Sequence, residues 1–293
     1  MSVIFEQLSK LGLTSLETRG VYSSRTRDVE DLVVWKDNVS GVIYIDDYYT
    51  GDGTYTSGVY RLDETLALGN HVDLDRQADV ERRYKTNKQF VLGKDIFDFG
   101  CGAGDFLRMS EHHAASLQGV ELQDSYIKDL QTSGIRCTAE LADLPAASFD
   151  TCFSFHVIEH LPNPIDTLCE LRSKLKAGGT IVIEVPHAND FLLSAAGLNS
   201  FKDFTLWSQH LVLHTRDSLY RLMAFCGFRD IVIKSAQRYS ISNHMEWMLH
   251  GRPGGHKQLL SVLESDSLKS EYDKALNSIN ASDTLVVYAK NYS

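Results

Sequence analysis

The sequence predicts an α/β fold in which a mostly parallel sheet is covered by helices. Three observations predict it. From residue 95 onward, short runs rich in β-branched and aromatic residues alternate with helix-like stretches. The first of these runs leads through a glycine-rich turn, "DFGCGAGD", into a helix. A later stretch, "PIDTLCELRSKLKAGG", carries Ile165, Leu168, Leu171 and Leu175 on one stripe, with "KAGG" as C-terminal cation and glycine stop.

In chain order, residues 1–94 open with a helix, pass through "DLVVWKDNVSGVIYIDDYY", which reads as a hairpin around "DNVSG", and cross the tyrosine-rich "YYTGDGTYTSGVY" to a polar helix ending in "RRYKTNKQF". Strands are expected at 95–99, 116–121, 134–139, 149–155, 179–186, 228–235 and 283–290, with helices in "AGDFLRMSEHHA", "DSYIKDLQTS", "PIDTLCELRSKLKAGG" and "TRDSLYRLMAFCGF" between them. Residues 236–282 read as a largely helical insertion before the last strand. The division is therefore an N-terminal hairpin and lid region over 1–74, a core over 75–235, a helical insertion on the substrate side over 236–282, and a final core strand over 283–293.

At 293 residues, 43% apolar and 23% charged, the chain has the means to bury a sizeable core. No apolar run approaches the roughly 18–20 residues of a membrane span, and Glu6 and Lys10 interrupt any signal-like core, so the expected location is the cytoplasm. Cysteines at 101, 137, 152, 169 and 226 are odd in number and lack a C-x-x-C pair, which argues against a disulfide framework or a zinc ribbon. A formal charge of −10 disfavours long nucleic acid as partner.

The glycine spacing, Gly100-x-Gly102-x-Gly104, allows a tight turn and close approach of a ligand to backbone. Charge decides which ligand. Asp98 and Asp105 flank the turn where a pyrophosphate would sit and would repel it. An ammonium would instead be welcomed by Asp98. Glu121, ending the second strand, is placed to accept both hydroxyls of a ribose, and Asp143, after the third, to accept from an adenine amine. Together these describe a site for S-adenosylmethionine.

The series Asp98-Phe-Gly100-Cys-Gly102-Ala-Gly104, Glu121, Asp143-Leu144, "SFDTCFSFHVIEHLPNP" and "LKAGGTIVIEVP" resembles the motif set of class I S-adenosylmethionine-dependent methyltransferases. The resemblance implies a Rossmann-like seven-stranded sheet whose last strand runs antiparallel between the fifth and sixth. It also implies cofactor-binding roles for Asp98, Gly100, Gly102, Gly104, Glu121, Leu122, Asp143, Leu144, Phe155 and His156.

Methyl transfer is an in-line displacement, so the acceptor must be aligned and, for a hydroxyl, deprotonated. Histidine suits that task. His156, Glu159 and His160 follow the fourth strand, His187 follows the fifth, and His210 and His214 lie four apart in "WSQHLVLHT". The catalytic candidates are His156, His210, Glu159, His160 and His214, each competing with a structural reading. Two imidazoles and a carboxylate at one-turn spacing are also competent metal ligands. "HVIEHL" resembles the metal-binding helix of small-RNA 3′-end methyltransferases, with His156 where those have a glutamate; the site is expected to work without a metal. Acceptor contacts are expected from Tyr49 and Tyr55, beside Tyr48 and Tyr60, from His187, and from Arg238, Tyr239, Asn243 and His244.

The arrangement looks most like methyltransferases of bacterial sugar and surface-polysaccharide pathways. The expected function is O-methylation of a sugar, sugar nucleotide or glycan precursor, the partner being a small polar acceptor. Three alternatives stay open: a small-molecule O- or N-methyltransferase of secondary metabolism, a metal-dependent RNA 3′-end methyltransferase, and a non-catalytic cofactor-binding regulatory domain.

Overall fold

Helix α1 (Val3–Lys10) forms because Ile4, Phe5 and Leu8 fall on one face, and that face is buried. The computed structural model to which it belongs describes residues 3–46, 48, 49, 51, 53, 56 and 72–293, with side chains of the last stretch from 75 onward. Strands β1 (Arg19–Ser23), β2 (Val34–Asp37) and β3 (Ile43–Ile45) follow. The expected hairpin is β2–β3, and Asp37 fixes its turn by accepting from the N–H groups of Val39 (2.9 Å) and Ser40 (2.8 Å).

After the polar helix α2 (Val72–Asn87), strand β4 (Asp95–Phe99) enters the glycine turn and helix α3 (Asp105–Ser110), shorter than the sequence pattern. Then come β5 (Ser116–Val120), α4 (Asp124–Thr132), β6 (Arg136–Thr138) and β7 (Phe149–Phe155). Helix α5 (Pro164–Lys174) stops before "KAGG"; those residues belong instead to β8 (Leu175–Pro186), whose register against β7 shifts between Phe149 and Thr151. The chain continues through α6 (Asn199–Thr205), β9 (Val212–Leu213), α7 (Arg216–Phe225) and β10 (Arg229–Ala236). Helices α8 (Ile241–His250) and α9 (Asp266–Ser278) form the insertion before β11 (Thr284–Lys290).

The main sheet has the order β10-β11-β8-β7-β4-β5-β6. Pairings β4–β5, β4–β7, β5–β6 and β7–β8 are parallel, whereas β11 runs antiparallel to both β8 and β10. The seven-stranded α/β sheet with its reversed last strand is therefore as the sequence implied. The central strands are apolar on both faces, with Phe97, Phe153, Ile181 and Ile183 fully buried, as a sheet covered on two sides requires.

A second sheet, β1-β2-β3-β9, was not legible beforehand. Its fourth member lies inside "WSQHLVLHT", pairing Leu213 with Ile43 and Val212 with Tyr44. Residues of α1 join the largest core cluster beside Leu168, Leu171 and Leu222. Gln7 reaches over to the start of α5: its Oε1 accepts from the Ile165 N–H at 3.2 Å and its Nε2 donates to the Pro162 carbonyl at 2.8 Å. Among the described residues no helix is long and apolar enough to cross a membrane.

Candidate functional site

The turn after β4 requires its glycines. Gly100, Gly102 and Gly104 have φ of +73°, +57° and +76°. A Cβ on Gly100 would stand 2.4 Å from Val157 Cγ2, and one on Gly104 2.3 Å from Leu130 Cδ2. Glu121, at the end of β5, ties the turn down: its Oε2 accepts from the Gly102 N–H at 2.8 Å and its Oε1 from the Gln123 N–H at 2.9 Å.

Asp98 sits beneath this turn, 3% exposed, and its Oδ1 has no hydrogen-bond partner. Burial pushes its carboxyl up to about 8, with nearby Glu121 adding to the rise and Arg83 opposing it. A buried carboxylate oxygen without a donor is costly unless a ligand supplies one. An ammonium group answers that need, so the residues present fit the cofactor expected from the sequence. Asp143 is exposed at the end of a single 3₁₀ turn (Leu141–Asp143), Leu144 is buried and Leu122 is 37% exposed. Phe155 stacks on Phe153 at 5.7 Å between centroids and carries the Arg83 guanidinium 4.7 Å above its ring.

His156 follows Phe155 in the left-handed region, φ +57°, a costly conformation for a residue with a Cβ. Its side chain is locked in a charge network. Nδ1 donates to Glu159 Oε1 at 3.1 Å, while Nε2 lies 3.3 Å from Glu184 Oε1 and 3.3 Å from Arg238 Nη1. Burial and Arg238 oppose its positive charge, but the bonds to Glu159 and Glu184 prevail and raise its pKa.

Glu184, on β8 and 1% exposed, also receives Arg82 at 2.8 Å and Arg83 at 2.7 Å, both from α2. Arg82 reaches Asp79 at 3.1 Å, and Arg238 holds the same carboxylate through its Nε at 2.8 Å. Burial of Glu184 is outweighed by Arg83, His156 and Arg82, which keep it well below the usual carboxylate range. Sequence reasoning missed Asp79, Arg82, Arg83 and Glu184. The available signal was a glutamate inside the otherwise apolar "TIVIEVP".

The remaining histidines form a second group. Glu159, fully buried, lies with His160 and His210 so that one ligand atom of each is within 4.8 Å of the other two. His160 Nδ1 donates to the Gln209 carbonyl at 2.7 Å, and its ring meets His210 edge-on at 5.0 Å. His210 is held neutral by burial, and its Nδ1 is buried without a partner. The loops carrying them are joined directly, the Leu211 N–H donating to the Glu159 carbonyl at 2.8 Å. His214 Nδ1 meets the Ser218 hydroxyl at 3.0 Å, within the capping box that starts α7 at Thr215. His187 donates to the Ser282 carbonyl at 2.9 Å and bridges to His214 through the backbone.

Among the expected acceptor contacts, Arg238 joins the network at His156, whereas the Tyr239 N–H is held by Asp283 at 3.1 Å. Asn243 accepts from the Gly254 N–H at 2.8 Å. His244 bonds the Tyr272 hydroxyl at 2.7 Å and stacks on Phe191. Tyr49 is 41% exposed; Tyr55 and Tyr60 lie outside the described residues.

A family model described as "Methyltransferase domain" matches residues 75–232. A tRNA U34 carboxymethyltransferase of Trichlorobacter lovleyi is 32% identical over 188 residues, 55% of this chain and 53% of the relative. The protein of the same name from Pseudoalteromonas atlantica is 24% identical over 195 residues, 61% of this chain and 59% of the relative. The chain thus spans little more than half the length of the curated relatives it matches. Among solved structures, a SAM-dependent methyltransferase from Archaeoglobus fulgidus superposes with a TM-score of 0.51 at 20% identity, over 79% of this chain and 99% of that one. The 1,6-didemethyltoxoflavin-N1-methyltransferase of Burkholderia thailandensis does so with a TM-score of 0.51 at 14% identity, over 86% of this chain and 95% of that one. At these identities the likeness is one of fold.

Proposed function

The chain belongs to the methyltransferase-domain family, and we propose that it is an S-adenosylmethionine-dependent methyltransferase in which Asp98 receives the cofactor's ammonium, Glu121 its ribose diol and Asp143 its adenine amine. Gly100, Gly102 and Gly104 let it approach the backbone; Leu122, Leu144 and Phe155 flank it. The observation that carries this reading is the buried Asp98 oxygen that lacks a donor. The bound cofactor supplies an electrophilic methyl group. Calorimetric titration with S-adenosylmethionine, and separately with NADH, tests the assignment: binding of NADH alone would overturn it.

For the acceptor, we propose a hydroxyl-rich polar molecule, a sugar or sugar-linked nucleotide, facing His156, Glu159, His160 and His210. Support comes from the polar side chains that these loops bring together, with His156, His160 and His210 partly exposed above the buried Glu159. His156 is a fixed orienting group, and His210 presents a buried lone pair from a neutral ring. The transferred group is read as a plain methyl. A carboxylate on it would seek a cation, and Arg82, Arg83 and Arg238 already engage Glu184 and Asp79.

A second reading, an RNA nucleoside as acceptor, is favoured by the names of the curated relatives, although a formal charge of −10 disfavours a polyanion. Transfer of labelled methyl from S-adenosylmethionine, offered in parallel to sugar nucleotides and to unmodified tRNA, separates the two. Label entering sugar nucleotides supports the first reading, and label confined to tRNA overturns it.

A further inference from the structure

We infer that Cys101 and Cys137 form a redox modification site, at which an oxidant of the peroxide class joins the two sulfurs and thereby reshapes the glycine turn. That the reshaped turn releases S-adenosylmethionine rests on the cofactor reading above; the bond itself does not.

The two thiols are 36 residues apart in sequence and meet across β5. Cys101 stands in the turn after β4 and Cys137 in β6, with their Sγ atoms 4.0 Å apart. Gly119, on the strand between them, leaves the gap they share: a Cβ there would stand 2.7 Å from Cys101 Sγ and 3.1 Å from Cys137 Sγ. Cys137 is buried, whereas Cys101 is partly exposed. An oxidant therefore reaches the pair from the Cys101 side.

The pair loses its first proton as a unit. A bond from Cys101 holds the Cys137 thiol below its usual range, against burial and the charges of Glu121 and Asp98. Passage of the remaining proton to Cys137 puts the thiolate on Cys101, where it attacks the peroxide: an S–O bond forms, the O–O bond breaks, and the departing hydroxide takes up a proton. The Cys137 sulfur then displaces the hydroxyl of the Cys101 sulfenic acid as water. Two thiols and one hydrogen peroxide give one disulfide and two waters, the sulfurs together losing two electrons.

A disulfide of about 2.05 Å requires the sulfurs to close by roughly 2 Å. Strand β6 resists, because Cys137 is paired with Gly119 and the Thr138 carbonyl accepts from the Glu121 N–H at 3.0 Å. The turn yields, because Cys101 lies between Gly100 and Gly102 and its own N–H is held only by a 3.2 Å bond to the Val120 carbonyl. Drawing Cys101 toward β6 displaces the Gly102 N–H from Glu121, which holds it at 2.8 Å and is the residue proposed for the ribose diol. The oxidised turn then no longer matches the cofactor, and bound cofactor keeps the sulfurs apart.

The experiment treats the full chain with one equivalent of hydrogen peroxide, maps disulfides by peptide mass before and after dithiothreitol, and follows each form by S-adenosylmethionine calorimetry. Cys169→Ser is treated in parallel, since Cys169 is exposed. The expected results are a bond between residues 101 and 137, an affinity lowered about 10-fold or more, and return of both thiols and affinity on reduction. In Cys137→Ala, Cys101 lacks both the donor that supports its thiolate and the sulfur that closes the bond, so peroxide is expected to leave the affinity unchanged. Absence of the 101–137 bond in the oxidised parent overturns the proposal whatever the variants do. So does an equal, reducible loss of affinity in Cys137→Ala that melts as the parent does. A mapped bond with undiminished affinity overturns the coupling to the turn. A bond that forms in a chain whose reduced state binds no S-adenosylmethionine removes the cofactor reading and leaves the thiol pair standing.

Discussion

Asp98 combines full burial, a carboxyl raised to about 8 and an oxygen without a donor. Asp98→Asn keeps the shape and removes the charge, so S-adenosylmethionine should bind about 10- to 100-fold more weakly by calorimetry, the equivalent of one hydrogen bond to a charged group. Unchanged affinity would remove Asp98 from the site. The raised carboxyl also sets a pH dependence. Below about 8 the residue is largely protonated in the free protein and must release that proton to receive an ammonium. Affinity should therefore rise with pH toward 8, and titrations in buffers of different ionisation enthalpy should show up to one proton released per cofactor bound. For the free protein the same group has a folded pKa above its unfolded one. Its contribution to stability is full below about 4, falls as pH rises, and is gone above about 8. In Asp98→Asn, melting temperature should lose that part of its pH dependence.

At the scale of elements, the glycine turn and the α2–β8 pairing are the two arrangements on which the site depends. Gly104→Ala adds a Cβ where φ is +76° and Leu130 is already 2.3 Å away. The combined strain and overpacking should cost about 2–4 kcal/mol, read as a lowered denaturant midpoint. Glu184→Gln leaves Arg82 and Arg83 facing a neutral amide. The expected cost is about 3 kcal/mol, the usual result of removing one partner from a buried ion pair. Equal stability of parent and variant would show that those arginines are solvated instead. The turn was legible in the sequence because glycine spacing and flanking carboxylates are local signals. The main sheet was legible because its strands are apolar runs separated by amphipathic helices. The network around His156 was not, since Asp79, Arg82 and Arg83 sit on a helix far from Glu184 in sequence and look there like an ordinary solvated face. Strand β9 was missed for a similar reason: two residues pair only because the hairpin β2–β3 offers them an edge. The expected end of α5 at "KAGG" failed because pairing with β7 draws Leu175 and its successors into β8.

Across the whole molecule, residues between 4 and 44 are part of the main core. Ile4, Phe5, Leu8, Leu11 and Leu13 pack in the cluster that includes Leu168, Leu171 and Leu222, and Gln7 caps α5 across 158 residues. Removing residues 1–46 should expose that face, so the shortened chain is expected to bind a hydrophobic dye and lose its cooperative melt. A cooperative melt within a few degrees of the parent would contradict this packing. The matched family region, 75–232, leaves out α1, the hairpin and β11, so the segment proposed to bind the cofactor does not contain everything that supports it. The bond from the Ile45 N–H to the Leu211 carbonyl at 2.9 Å, and from the Leu211 N–H to the Glu159 carbonyl at 2.8 Å, makes one ladder from the N-terminal hairpin to the histidine loops. In evolutionary terms, that ladder couples the hairpin to the loops it braces. A recombination that exchanged the first 74 residues for those of a cousin would arrive with an edge strand of foreign register and disturb the spacing of Glu159, His160 and His210.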